Sequence, residues 1–142
     1  MKLETTQSVI SHQAAMVAVT AAVEYAGEQG WAISVAVVDS NGRLRAFAQM
    51  DGALLISEAG AVRKARTALV GLGSADLAVA LAADPATMLA FAQLPDMSLL
   101  GGGLPIVARG QVIGAIGVGG ASNAEQDVEC AAAALNYFSK LH

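Results

Sequence analysis

The sequence is poor in the residues that most often carry catalysis and metal binding. It contains one cysteine, Cys130, and two histidines, His12 and His142. A single cysteine excludes an intrachain disulfide, a cysteine-rich zinc site and c-type haem attachment. Zinc enzymes use several His or Cys ligands, so the composition argues against one. Cys130 lies in an apolar helical pattern, which predicts a buried structural thiol.

Charge is also scarce. Charged residues make up 14% of the chain and hydrophobic residues 55%, whereas average domains carry roughly 25% charged residues. So little charge predicts that other subunits cover part of the apolar surface, and we therefore expect a homo-oligomer. The net charge of −4 argues against a broad nucleic-acid-binding face. The length fits one domain over residues 1–142.

Long apolar segments are missing as well. No apolar run reaches the roughly 20 residues that a membrane helix requires. The N-terminal residues, MKLETTQSVISHQ, lack the uninterrupted apolar core of a signal peptide. We therefore expect a cytoplasmic protein without a membrane anchor.

The residues that are present predict an α+β domain. Their periodicity gives the order α, ββ, several α, ββ, α, which is typical of an antiparallel sheet with helices beside it. The predicted helices begin at Thr5 or Thr6, just after Gly52, at Ser74, at Pro85, and behind a capping box that opens at Ser122.

Two hairpins supply the predicted strands. Residues 33–39 and 44–50 flank Asn41-Gly42, a pair that favours a tight turn with positive φ angles. Residues 104–108 and 112–118 flank Arg109-Gly110. Glycines within the last strand, Gly114 and Gly117, indicate that another element or a ligand packs tightly against it.

The densest positive charge follows the first hairpin. Arg63, Lys64 and Arg66 occupy three of four consecutive positions, shortly after the polar turn Asp51-Gly52. This pattern predicts a site for a small anionic ligand or an acid-bearing cofactor; a solvated basic helix face is the alternative. Asp51 is predicted either to pair with Lys64 or Arg63, or to act as a general base.

His12 is the other singular residue. It precedes Met16 by one helical turn on an apolar stripe, which is compatible with an axial ligand to haem iron. A histidine at the edge of the core is the alternative. The Gly101-Gly102-Gly103 run predicts a flexible or close-approach loop, but it lacks the Gly-Lys-Ser/Thr ending of a nucleotide-binding P-loop.

Several motifs together, in order along the chain, resemble the GlcG/HbpS family. The match runs from about Val35 to Ala134. The motifs are Val37-Val38-Asp39, Asn41-Gly42, Met50-Asp51-Gly52-Ala53, Lys64-Ala65-Arg66-Thr67-Ala68, Gly102-Gly103-Leu104-Pro105-Ile106, Gly114 to Gly120, and Asp127 as the acidic residue that opens the last helix.

The resemblance implies a profilin-like fold, with a five-stranded antiparallel sheet flanked by helices. It places the fifth strand at residues 96–100 and implies a hexamer or octamer. It also implies a small pocket bounded by the turn at Met50 to Ala53, by Lys64 and by Gly102-Gly103. The family includes haem-binding proteins and PduO-type C-terminal domains, in which a histidine of the N-terminal helix binds haem; His12 is in the matching helix. Gln49 replaces the family's usual arginine.

Two functions therefore stand as hypotheses, beside an accessory protein without a ligand. The first is an oligomeric protein that binds haem or a related tetrapyrrole, with His12 as iron ligand and Lys64 or Arg63 neutralising its carboxylates. The second is an isomerase, hydratase or lyase acting on a small organic acid, encoded in a catabolic operon. In that enzyme Asp51 would transfer the proton, Lys64 would clamp the carboxylate, and the NH groups of Gly102 and Gly103 would bind an oxyanion.

Overall fold

The computed structural model describes residues 1–141, so the C-terminal His142 lies outside the described residues. The elements are α1 (His12–Gln29), β1 (Ser34–Asp39), β2 (Leu44–Gln49), α2 (Ile56–Ala68), α3 (Ser74–Leu81), α4 (Pro85–Ala92), β3 (Gly103–Ala108), β4 (Gln111–Gly119) and α5 (Ala124–Lys140). This order confirms the predicted α+β class.

The sheet has four antiparallel strands in the order β2-β1-β4-β3. The prediction of a fifth strand at residues 96–100 is therefore wrong. Side chains bind the backbone of that segment in place of a neighbouring strand. The Thr67 hydroxyl accepts from the Ser98 amide at 2.8 Å, and the Ser74 hydroxyl donates to the Leu100 carbonyl at 2.7 Å.

Helices cover both faces of the sheet. Val35 and Val37 of β1 pack in one cluster with α1 and α5, whereas Val38 packs in a second cluster with α2. The alternation follows from the two-residue period of a strand. Because β1 is buried on both faces, its residues from Val35 to Val38 are all apolar, as the sequence predicted.

Two glycines in β4 make room for close backbone neighbours. A Cβ added to Gly117 would collide with the Ala61 carbonyl oxygen of α2, and one added to Gly114 would meet the Val38 carbonyl of the neighbouring strand β1. The predicted close packing against these two glycines is confirmed, and the packed groups are backbone.

Helix α1 begins later than expected. The predicted cap at Thr5 or Thr6 is wrong, because Ser11 caps the helix by accepting from the Ala14 amide. Just before it, the Ile10 amide donates to Ile113 of β4, and Ile10 is buried. An N-terminal segment tied to a strand in this way cannot continue the helix. The helix ends at Gln29, with Gly30 left-handed behind it.

The two hairpin turns differ. At the first, only Gly42 has a positive φ, and the Asp39 carboxylate accepts from the Asn41 and Arg43 amides. The prediction of two positive φ angles is therefore wrong for this turn. At the second, Arg109 and Gly110 both have positive φ, as a type I′ hairpin turn requires.

Other helix boundaries differ in detail. Helix α2 begins at Ile56, after an exposed turn. Helix α3 begins at Ser74, but its cap is Gly73. Helix α5 is capped by Asn123, one residue after the predicted Ser122. Pro85 lies in the first turn of α4 as predicted, with Asp84 as the cap. Across residues 1–141, no helix combines the length and apolarity needed to cross a bilayer.

Candidate functional site

Lys64 is buried and paired inside the protein. Its ammonium donates to a carboxylate oxygen of Asp127 and to the Val118 carbonyl, each at 3.0 Å. The two side chains are 6% and 7% exposed. The other oxygen of Asp127 accepts from the Ala121 amide at 3.0 Å. Lys64 therefore pairs with Asp127, and the predicted pairing with Asp51 is wrong.

The ion pair crosses from one helical layer to the other. Lys64 belongs to α2, on one face of the sheet, and Asp127 to α5, on the opposite face. The crossing point is Gly102, where an added Cβ would meet the Lys64 side chain, the Asp127 Cβ and the Val118 carbonyl. Glycine here leaves room for the lysine side chain to pass.

The glycine loop is held from both sides. The Gly103 amide donates to the Ser74 hydroxyl at 2.9 Å, and the Gly102 carbonyl accepts from the Val118 amide at 2.9 Å. Both glycines are buried. The loop is thus a close-approach segment, and the Gly103 NH that the enzyme hypothesis assigns to an oxyanion is occupied by Ser74.

Asp51 and Arg63 lie on the surface. Asp51 stands in an exposed turn closed by the Ala53 amide donating to the Met50 carbonyl. Arg63 is exposed on α2. Because the Lys64 ammonium is buried and engaged, these three predicted site residues do not converge within one chain.

His12 opens onto a groove between α1 and α5. It is the first residue of α1 and is exposed. The groove has a volume of about 430 Å³ and is lined by His12, Gln13, Met16, Val17, Thr20, Ala21, Glu24 and Tyr137. Known ligand pockets occupy ~300–1,000 Å³ and combine apolar walls with few polar groups. The size of this groove falls in that range; its exposed wall is mainly apolar, and His12, Gln13, Thr20, Glu24 and Tyr137 contribute the polar groups.

The groove continues along the two helices. A second depression of about 360 Å³ shares Ala21, Glu24 and Tyr137 with the first and extends to Lys140. Sequence reasoning missed this α5 wall. In the sequence, Tyr137 and Lys140 are recognisable only as residues near the end of the last amphipathic helix. Their spacing does not show that this helix packs against α1.

The predicted ligand residues thus fall into separate places. His12 faces the α1–α5 groove, Arg63 lies on the outer surface of α2, and Lys64 with Gly102 and Gly103 forms the buried crossing. His12 and Lys64 lie in helices on opposite faces of the sheet.

The sequence and the fold of this chain are similar to those of known proteins. A family model described as "Haem degrading protein HbpS-like" matches residues 10–136. Protein GlcG of Escherichia coli K12 is 36% identical over 113 residues, covering 80% of this chain and 83% of its own.

Two solved structures share the fold. A double mutant of Streptomyces reticuli HbpS superposes with a TM-score of 0.87 at 34% identity, covering 94% of this chain and 90% of its own. The complex of PduOC with haem superposes with a TM-score of 0.79 at 27% identity, covering 90% and 94%.

Proposed function

Since the chain belongs to the HbpS-like family, we propose that it binds haem, or a related tetrapyrrole, in the groove between α1 and α5. The observation that carries the proposal is His12 at the edge of that groove, with Met16, Val17 and Ala21 beyond it. An imidazole beside apolar walls is the arrangement that holds haem iron and its macrocycle. The haem complex of PduOC supports the same ligand class.

His12 would supply the iron ligand. Its side chain is exposed and can turn toward the groove without breaking a helix contact, because it is the first residue of α1. The porphyrin would pack on Met16 and on Tyr137, which line the groove from α1 and α5. When bound, haem would supply redox and gas-binding chemistry; the chain's part is to ligate, orient and partly shield it.

The haem carboxylates need a different partner from the one first expected. Lys64 is committed to Asp127 and Val118, so its ammonium is not free for a propionate. Lys140 lines the continuation of the groove, beside Glu24 and Glu28. Arg63 remains a partner only if another subunit brings it near.

We also propose that the protein is a homo-oligomer. The exposed apolar residues support self-association, since three consecutive ones, Leu54, Leu55 and Ile56, are 60%, 80% and 78% exposed. Stable monomers rarely leave such patches uncovered. The catalytic hypothesis built on Asp51 and Lys64 has no supporting contact among residues 1–141, and we do not propose it.

A haemin titration with a blocked groove tests the haem proposal. Thr20 is exposed and lines the groove, so Thr20→Trp fills the groove without entering the core. Thr6→Trp, in the exposed N-terminal segment, is the matched control. We expect saturable binding of one haem per chain in the wild type and the control, and its loss in Thr20→Trp. Equal binding by all three proteins would refute the groove as the site.

A further inference from the structure

An apolar pocket lies between strand β3, the start of α1 and the end of α5. Its volume is about 340 Å³, within the ~300–1,000 Å³ of known ligand pockets. Most of its wall is formed by aliphatic and aromatic side chains, among them Ile10, Ala14, Ile106, Leu135 and Phe138. Among the described residues that line it, none is charged, and the one polar side chain, Ser139, donates to the Leu135 carbonyl at 3.3 Å. The pocket therefore suits the apolar part of a ligand.

A polar depression adjoins the apolar pocket. It has a volume of about 450 Å³, and the two share Ala108 and Ile113 in their linings. The polar groups of the depression come from Ser8, Arg109 and Gln111. We call the apolar pocket and the polar depression together the hairpin cleft, because the β3–β4 turn forms its rim. One part of the cleft is apolar, and the other carries a guanidinium, a hydroxyl and an amide.

The charge of the hairpin cleft is positive. Arg109 is exposed in the β3–β4 turn, and across residues 1–141 its guanidinium makes no salt bridge. Within the same residues, no carboxylate lines either part of the cleft, whereas the α1–α5 groove contains Glu24. Arginine binds a carboxylate through two parallel hydrogen bonds. The cleft is therefore complementary to an acid that also has an apolar body.

Hydrogen bonds fix the N-terminal wall of the cleft. The Ile10 amide donates to the Ile113 carbonyl at 2.9 Å, and the Ile10 carbonyl accepts from the Arg45 guanidinium at 3.2 Å. The Ser8 carbonyl accepts from the Ser40 hydroxyl at 2.9 Å. Although this segment precedes α1 and belongs to no strand, it is thus held against the sheet. Ligand sites are usually pre-formed in this way.

We propose that the hairpin cleft binds a monocarboxylic acid with an apolar body, of the class of medium-chain fatty acids. The carboxylate lies on Arg109, and the hydrocarbon chain lies in the apolar pocket, where burial of its methylene groups contributes to affinity. The site is separate from the proposed haem site, because the hairpin cleft and the α1–α5 groove share no lining residue. The inference does not depend on haem binding.

Calorimetric titration of the wild type with three probes tests whether both parts of the cleft are used. Octanoate has the acid and the chain, 1-octanol has the chain alone, and acetate has the acid alone. We expect saturable binding of one octanoate per chain, binding of 1-octanol at least about tenfold weaker because it lacks the charged hydrogen bonds, and no measurable binding of acetate. Absence of saturable octanoate binding, or equal affinities for octanoate and 1-octanol, would overturn the inference.

A pair of arginine variants tests the polar part. Arg109→Asn removes the guanidinium, and asparagine tolerates the positive φ of 53° at this position. Arg43→Asn is the matched control, since Arg43 is an exposed arginine beside the other hairpin turn and lines neither part of the cleft. We expect Arg109→Asn to weaken octanoate binding about tenfold and to leave 1-octanol binding unchanged, and Arg43→Asn to alter neither. Equal octanoate affinity in both variants contradicts the role of Arg109.

A pair of tryptophan variants tests the apolar part. Val107 lines the pocket and is 56% exposed on the edge strand β3, where an aromatic residue is favoured. Leu44, 48% exposed on the other edge strand, is outside the cleft and gives the control. We expect Val107→Trp to lose octanoate and 1-octanol binding and Leu44→Trp to retain both. Unchanged octanoate binding in folded Val107→Trp overturns the inference, as does its loss in Thr20→Trp, which would place the acid in the α1–α5 groove.

Discussion

The ammonium of Lys64 lies 3.0 Å from a carboxylate oxygen of Asp127, and this buried ion pair ties α2 to α5 across the sheet. The Val118 carbonyl and the Ala121 amide satisfy the remaining polar atoms of the pair. Buried charges are tolerated only when they are paired and hydrogen-bonded in this way. The most conspicuous basic residue of the sequence therefore has a structural partner.

Breaking this pair from either side should destabilise the fold. Lys64→Met leaves the Asp127 carboxylate buried without its cation, and Asp127→Asn leaves the ammonium without its anion. We expect each to lower the free energy of unfolding by about 3–5 kcal/mol, measured by urea denaturation. The double variant should lose less than the sum of the two; strict additivity would show that the pair is not coupled.

Replacing a glycine beside Lys64 should destabilise the protein, whereas replacing a glycine that has open space around it should not. Gly103→Ala drives a methyl group into the Lys64 carbonyl, so we expect loss of the folded state or severe destabilisation. Gly60→Ala is the control, since nothing lies within 4 Å of its added Cβ and it sits within α2. That variant should gain up to about 1 kcal/mol, because alanine favours a helix over glycine. Similar stabilities for both variants would contradict the packing described.

Cys130 should make stability fall at high pH. Burial raises the pKa of its thiol to about 12 from 9.0. Below pH 9 the thiol is protonated in both the folded and unfolded states, so it causes no pH dependence. Above pH 9 only the unfolded state releases the proton, which favours unfolding by about 1.4 kcal/mol per pH unit.

Urea midpoints from pH 8 to pH 11 measure this effect. The wild type should lose more stability over that range than Cys130→Ala, which lacks the thiol while other groups titrate equally in both. Parallel curves for the two proteins would show that Cys130 is not shielded from water.

The periodic features of the sequence predicted the fold well. The continuous apolar run of β1 and the two hairpins follow from local pattern, as does the close approach at Gly114 and Gly117. Helix starts were less predictable: Ser11 and Thr5 are both preferred N-cap residue types. Only the tie between Ile10 and Ile113, which are distant in sequence, decides between them.

The candidate site was harder to predict than the fold, because it depends on contacts between residues that are distant in sequence. The cluster at Arg63 and Lys64 indicated a ligand, but it could not show that the Lys64 side chain passes Gly102 to reach Asp127, 63 positions along the chain. Sequence reasoning singled out His12 by its rarity. It did not find Tyr137, because only the packing of α5 on α1 places the two side chains along one groove.

The central claim, that His12 ligates haem iron, is tested most directly by the absorption spectrum of His12→Ala loaded with haemin. His12 is exposed at the first position of α1, so the variant should fold with wild-type stability. We expect the wild type to give a sharp, shifted Soret band, His12→Ala to lose it, and added imidazole to restore it by replacing the missing side chain. An identical Soret band in the wild type and in His12→Ala would contradict the assignment.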